Sequence, residues 1–192
     1  MNQKKSTPAR GWYLRRKLPH FDAPGTIQHL VLHVFDPARC RLESMGPKST
    51  LPYKQSQPDK VCLTDPPEIA EIVKEALLFG DPARYFLLEW AIMPTHVHIL
   101  IQQRQNWSLG NVVQGWKRHT TKCIKALLGR DLLPQWGNQI IVWQPDYWDR
   151  YIRSDSDLYR VRQYILENPV KAGLVTKPTD WPWSSANTGW RS

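Results

Sequence analysis

Two apolar, β-rich runs, Tyr85 to Ala91 and His96 to Gln102, flank Met93-Pro94-Thr95 so closely that the chain must turn back there or kink a single strand at the proline. Either way the segment belongs to a sheet, and the flanking elements must pack on it. Upstream, Glu68 to Phe79 places Ile69, Ile72, Val73, Ala76 and Leu77 at helical spacing, with Pro66-Pro67 to start the helix and Gly80-Asp81-Pro82 to end it. Downstream, Ser108 can cap a helix running to Leu128, with Val112, Trp116, Thr120, Cys123, Ile124 and Leu127 on its apolar side. Lys117, Arg118, Lys122 and Lys125 fall largely on its other side. Ile27 to Phe35 reads as the first strand and Ile140-Ile141-Val142-Trp143 as the last. A final helix, capped by Ser154 or Ser156, is expected over Asp157 to Asn168, stopped by Pro169. The order strand, helix, strand, strand, helix, strand, helix implies an α+β fold, an antiparallel sheet with helices packed on it.

The chain of 192 residues suits one domain. Residues 1–25 read as a basic N-terminal arm, 26–176 as the domain and 177–192 as a tail, with a Pro-, Ser-, Lys- and Gln-rich surface loop at 38–67. The arm holds Arg15, Arg16 and Lys17, with Trp12 and Tyr13 interleaved; it can track phosphates while its aromatics stack on bases, or be a solvated tail. A net charge of +9 points to a polyanionic partner, or simply to a basic soluble protein. Cys40, Cys62 and Cys123 have neither disulfide-framework nor structural-zinc spacing. No apolar run reaches signal-peptide or membrane-span length, so a cytoplasmic protein without membrane association is expected.

The candidate chemistry begins at His96-Val97-His98. On a strand the two-residue period turns both imidazoles to one face, as half of a divalent-metal site or as a hydrogen-bonded pair that holds no ion. His29 and His33 also share a face, but four residues along a strand is roughly 13 Å, too far to bind one ion, so they read as structural. On the last helix Leu158, Val161 and Ile165 define a core stripe. Tyr164 and Asn168 sit one turn apart, roughly 50 to 90° from its centre, whereas Tyr159 and Gln163 fall on the solvent side. Tyr164 can therefore be a nucleophile beside a metal or a boundary residue packing its ring. A phenol ordinarily titrates near about 10, so the first role needs activation.

Longer motifs bear on that choice. Met-Pro-Thr-His-Val-His-Ile-Leu at 93–100 is followed by Trp-Lys-Arg-His-Thr at 116–120, Trp-Gln-Pro at 143–145 and Asp-Arg-Tyr-Ile-Arg at 149–153. Tyr-Ile-Leu-Glu-Asn-Pro-Val-Lys-Ala-Gly-Leu-Val at 164–175 and Trp-Pro-Trp-Ser-Ser at 181–185 complete the series, with Trp12-Tyr13 and Leu18-Pro19-His20-Phe21-Asp22 ahead of it. In this order they resemble the single-tyrosine transposases of the HUH-nuclease superfamily, specifically the REP-associated tyrosine transposases. Thr95 and Lys171 depart from the residues commonest there, Asn and Arg, without removing a ligand or nucleophile.

The resemblance implies a ferredoxin-like or RRM-like α+β core with a C-terminal helix carrying the tyrosine. It makes His96 and His98 metal ligands, Asn168 the residue that completes the site and Tyr164 the catalytic residue. It also implies Mg²⁺ or Mn²⁺, and cleavage and rejoining of single-stranded DNA beside a palindromic hairpin through a 5′-phosphotyrosine, by a monomer or homodimer. Lys117, Arg118, Arg150, Arg153 and Lys171 lie in these motifs and, with Arg15, Arg16 and Lys17 of the arm, are candidate DNA contacts. Two alternatives remain: a domesticated relative that binds structured nucleic acid without cutting it, and a phosphoesterase using activated water.

Overall fold

The computed structural model describes residues 11–15, 18–36, 61–129, 135–136 and 139–187. In chain order these form β1 (Gly11–Arg15), β2 (Leu18–Asp22), β3 (Ile27–His33), α1 (Pro67–Phe79), β4 (Tyr85–Ile92), β5 (His96–Gln103) and α2 (Leu109–Leu128). Two short strands follow, β6 (Gln135–Trp136) and β7 (Gln139–Ile140), then β8 (Trp148–Tyr151) and α3 (Asp155–Lys171). The main sheet has the order β4-β5-β3-β8, with every neighbouring pair antiparallel. Its four strands and the two helices between them run β-α-β-β-α-β, with the first and third strands central, which is the expected ferredoxin-like α+β topology. None of the described helices is long and apolar enough to cross a membrane.

Strand alternation sorts the sheet into two faces. Leu30 and Leu32 of β3 join Val97, Ile99 and Ile101 of β5 in one buried layer with Ile69, Val73 and Leu77 of α1 and Val112, Val113 and Trp116 of α2. The opposite face is covered by α3, where Val161 and Ile165 pack on Ala91 and Leu100. Ser108 caps α2 by accepting from the Asn111 N–H, and Ser154 caps α3 by accepting from the Asp157 N–H. Cys123 and Leu127, expected on the apolar side of α2, are half-buried and exposed respectively.

Three sequence expectations are corrected. The last strand of the sheet is Trp148–Tyr151, not 140–143. Val142 and Trp143 only bridge the end of β3, through Phe35 N–H to the Val142 carbonyl and the Val34–Trp143 bridge. β8 escapes hydrophobic periodicity because it is an edge strand whose residues are only half-buried or exposed. Pro169 does not stop α3: near the C-terminus it forfeits one helical bond, its ring is buried, and the chain leaves the helix at Gly173, with φ +70°.

The third correction concerns the arm. Its described part is the β1–β2 hairpin, fastened to β8 by His20, which is fully buried. His20 Nδ1 bonds Asp149 and Nε2 lies 3.2 Å from Asp146, while the Phe21 N–H donates to Asp149. Residues 38–60 of the expected loop lie outside the described residues; 61–67 join it to α1, with Val61 and Leu63 buried.

The end of α1 offers a test of this packing. Gly80 lies against Tyr85, whose buried hydroxyl donates to the Leu77 carbonyl and accepts from Trp116 Nε1. A Cβ on Gly80 would fall 2.4–2.5 Å from the Tyr85 ring and hydroxyl. Gly80→Ala is expected to destabilise the protein by about 1–3 kcal/mol in urea unfolding; an unchanged midpoint would contradict this packing.

Candidate active site

The β3–β5 register sets His33 opposite His96 and Val31 opposite His98, so His29, His33, His96 and His98 all project from the face covered by α3. The Nε2 atoms of His96 and His98 converge to 3.1 Å. Behind them His29 Nε2 lies 3.1 Å from His98 Nδ1, and Thr95 Oγ1 lies 3.1 Å from His96 Nδ1. The His33 ring packs 5.3 Å from that of His96. His29 and His33, expected to be merely structural, therefore touch the candidate site; only the pairing register could reveal this.

Burial holds the imidazoles in their neutral form. It lowers His98 to about 3 and both His29 and His96 to about 4, with Arg150 adding to the effect at His29 and neighbouring imidazoles at the other two. Neutral imidazole is the form that coordinates metal. Two nitrogens 3.1 Å apart match the about 3 Å between adjacent ligands of an octahedral ion held at about 2.1 Å. Among the described residues no group of three or more His, Cys, Asp or Glu side chains forms a metal cage. Asn168, one turn after Tyr164 on α3, lies near His98 and carries the further amide oxygen at hand. This donor set fits a hard divalent ion whose remaining positions stay open to water or substrate.

The α3 stripe of Val161 and Ile165 sets the orientation of Tyr164. Its ring stands edge-on 5.4 Å from His98 and 6.1 Å from His29, yet Tyr164 remains 45% exposed. Tyr159 points to solvent. Tyr164, His96 and His98 line one open cleft of about 860 Å³ between the sheet, α3 and the loop at 144–147.

The candidate DNA contacts are more dispersed. Arg150 and Arg160 both bond Asp157 Oδ1, at 2.6 and 3.0 Å, on the cleft wall. Lys171 Nζ lies 5.5 Å from the centre of the Tyr164 ring and bonds Glu167 at 2.9 Å. Arg153 stacks over Tyr151 at 5.0 Å. Lys117 bonds the carbonyls of Gln144 and Asp146, each at 2.8 Å, so it ties α2 to the cleft loop. Arg118 lines a separate groove of about 610 Å³ along α2 with Lys122 and Lys125. Arg16, Lys17 and the side chain of Arg15 lie outside the described residues. Sequence reasoning missed Asp157 and Arg160, whose only local signal is their place in the first turns of a capped helix.

The family model described as Transposase IS200 like matches residues 67–168, just over half of the chain. A REP-associated tyrosine transposase of Haemophilus influenzae is 32% identical over 100 residues, covering 49% of this chain and 54% of that protein. Another, of Escherichia coli, is 28% identical over 96 residues, covering 50% and 51%. Each alignment thus spans about half of the relative's length. A solved REP-associated tyrosine transposase bound to a REP hairpin shares the fold, with a TM-score of 0.62 and 18% identity over 92% of this chain and 87% of that one.

The buried imidazoles make acid stability a test of the geometry. An unfolded histidine binds its proton near about 6.5, whereas His29, His96 and His98 resist protonation until about 4 or below. Their stabilising contribution is complete above about 6.5 and is lost as the pH falls toward the folded values. In chelator, the melting temperature should drop between about pH 7 and 5, less steeply in His98→Gln. A flat profile would contradict the buried cluster.

Proposed function

The chain belongs to the IS200-like transposase family, and from that premise we propose that it cleaves and rejoins single-stranded DNA beside a hairpin, with Tyr164 as the nucleophile. The observation that carries this reading is the convergence of three groups in one cleft: two neutral imidazoles with their Nε2 atoms 3.1 Å apart, and a solvent-accessible phenol whose ring lies 5.4 Å from one of them.

In this reading Tyr164 Oη attacks a DNA phosphorus as its proton passes to solvent. The bond to the 3′ oxygen breaks, that oxygen takes up a proton, and a 5′-phosphotyrosine and a free 3′-hydroxyl result. Attack of a 3′-hydroxyl on the phosphotyrosine reverses the step, and the link conserves the bond energy that hydrolysis would discard. His96, His98 and Asn168 would hold Mg²⁺ or Mn²⁺, which when bound polarises the phosphate oxygens. Lys171 sets a cation beside the phenol, and Arg150 and Arg160 offer guanidinium groups to neighbouring phosphates. The net charge of +9, the REP-associated names of the relatives and the hairpin on the solved neighbour support structured DNA as the partner.

Incubation with hairpin oligonucleotides carrying single-stranded flanks should give a protein–DNA adduct on denaturing gels. The adduct should require divalent metal and fall by at least about 10³-fold in Tyr164→Phe. An undiminished adduct in that variant would assign the nucleophile elsewhere. Chelator-indifferent binding with no adduct at any metal concentration would leave a binding protein, and cut DNA without a linked strand would indicate hydrolysis.

A further inference from the structure

A neutral imidazole carries one N–H, so a histidine that coordinates through Nε2 must keep its proton on Nδ1. His96 and His98 present Nε2 to each other and turn Nδ1 away from the shared point. Each Nδ1 meets a different partner. That of His96 faces the hydroxyl of Thr95 at the exposed rim, where water can substitute for it. That of His98 points into the sheet, where His29 Nε2 lies 3.1 Å away and both residues are buried. His29 is fixed in turn: it sits on the central strand β3, its ring stacks on His98 at 5.3 Å, and Trp148 packs edge-on against its other side, also at 5.3 Å. It lies before residue 67, outside the stretch matched by the family model.

We propose that His29 is a positioning residue for the metal site: by accepting a hydrogen bond from His98 Nδ1–H, it selects the tautomer and ring angle in which His98 Nε2 is free to coordinate. The proposal rests on the reading of His96 and His98 as ligands. Without an acceptor at His29, the buried Nδ1–H of His98 would lose its partner, so the other tautomer, with its proton on the coordinating nitrogen, would gain population. The cost falls on metal affinity before any DNA is bound.

The experiment is Mn²⁺ titration by calorimetry on the full chain without DNA, with melting temperatures in chelator measured alongside. His29→Leu removes the acceptor, and His29→Gln restores one in its carbonyl oxygen. His29→Leu should weaken Mn²⁺ binding about ten- to a hundredfold, while His29→Gln stays within a few-fold of the parent. Should His29→Leu not fold, His29→Phe, which keeps a ring against Trp148, takes its place. Parental Mn²⁺ affinity in the acceptor-less variant would overturn the proposal, as would equal weakening in His29→Gln. His98→Ala separates the two levels: if it binds Mn²⁺ like the parent, the metal reading and this proposal fall together. If it loses the metal while the acceptor-less variant does not, only the role of His29 fails.

Discussion

Seven successive cross-strand pairs, from Ile27–Gln102 to His33–His96, hold β3 against β5 at the centre of the sheet. A one-residue slip of either strand against the other would turn that strand's two histidines into the layer now filled by Leu30, Leu32, Val97, Ile99 and Ile101, and swing its own apolar side chains out toward α3. The apolar layer therefore fixes the position of the imidazoles without touching them. α1 and α2 act on the histidines through this register, and Lys117 of α2 also holds the cleft loop, so a cleft on one face depends on packing against the other.

The second constraint fixes the roll of α3. Between Leu87 and Glu89 the β4–β5 register shifts by one residue. Leu88 then packs beside the α3 stripe while Glu89 faces the same helix. The buried Glu89 carboxylate accepts from Arg162 Nε and Nη2 at 2.9 and 2.6 Å and from Ser185 Oγ at 2.7 Å. Ser185 also bonds Trp90, and Trp181 Nε1 reaches the Ile92 carbonyl, so the segment after α3 is laid along the edge of β4. On a helical wheel Arg162 and Tyr164 flank the Val161–Ile165 stripe from opposite sides. Holding one at the β4 edge points the other at the histidines. An ion pair with only its carboxylate buried is weak evidence for net stability, but here it specifies orientation.

Legibility in the sequence followed the range of the interactions. α1, α2, the Ser108 cap and the strand carrying His96 and His98 rest on local periodicity and capping, and all were readable. The side of α3 that bears Tyr164 followed from the angular position of three apolar residues. β1 and β2 were hidden because what fastens them is distant in sequence: His20 between Asp146 and Asp149, and Tyr13 Oη 3.2 Å from Tyr147 Oη. β8 was hidden because an edge strand bearing Asp149 and Arg150 lacks an apolar signature. For Lys117 the motif suggested a phosphate contact and gave no sign of the loop carbonyls it also bonds, 27 and 29 residues away.

The cleft divides its labour by burial. The nitrogens that would hold an ion are neutral, on a buried His98 and a half-buried His96 packed against neighbouring imidazoles, so their direction is largely set before any ligand arrives. The phenol of Tyr164, 45% exposed, stays accessible from solvent, as the proposed attack on a DNA phosphorus requires. Asp157 joins the two regimes: its buried carboxylate accepts from the Arg153 N–H and gathers Arg150 and Arg160 from different elements onto one oxygen. Two cations shared by one carboxylate leave net positive charge at the cleft wall. A phosphate entering there, as the proposed reaction needs, would meet two guanidinium groups that Asp157 already gathers on one side of the cleft.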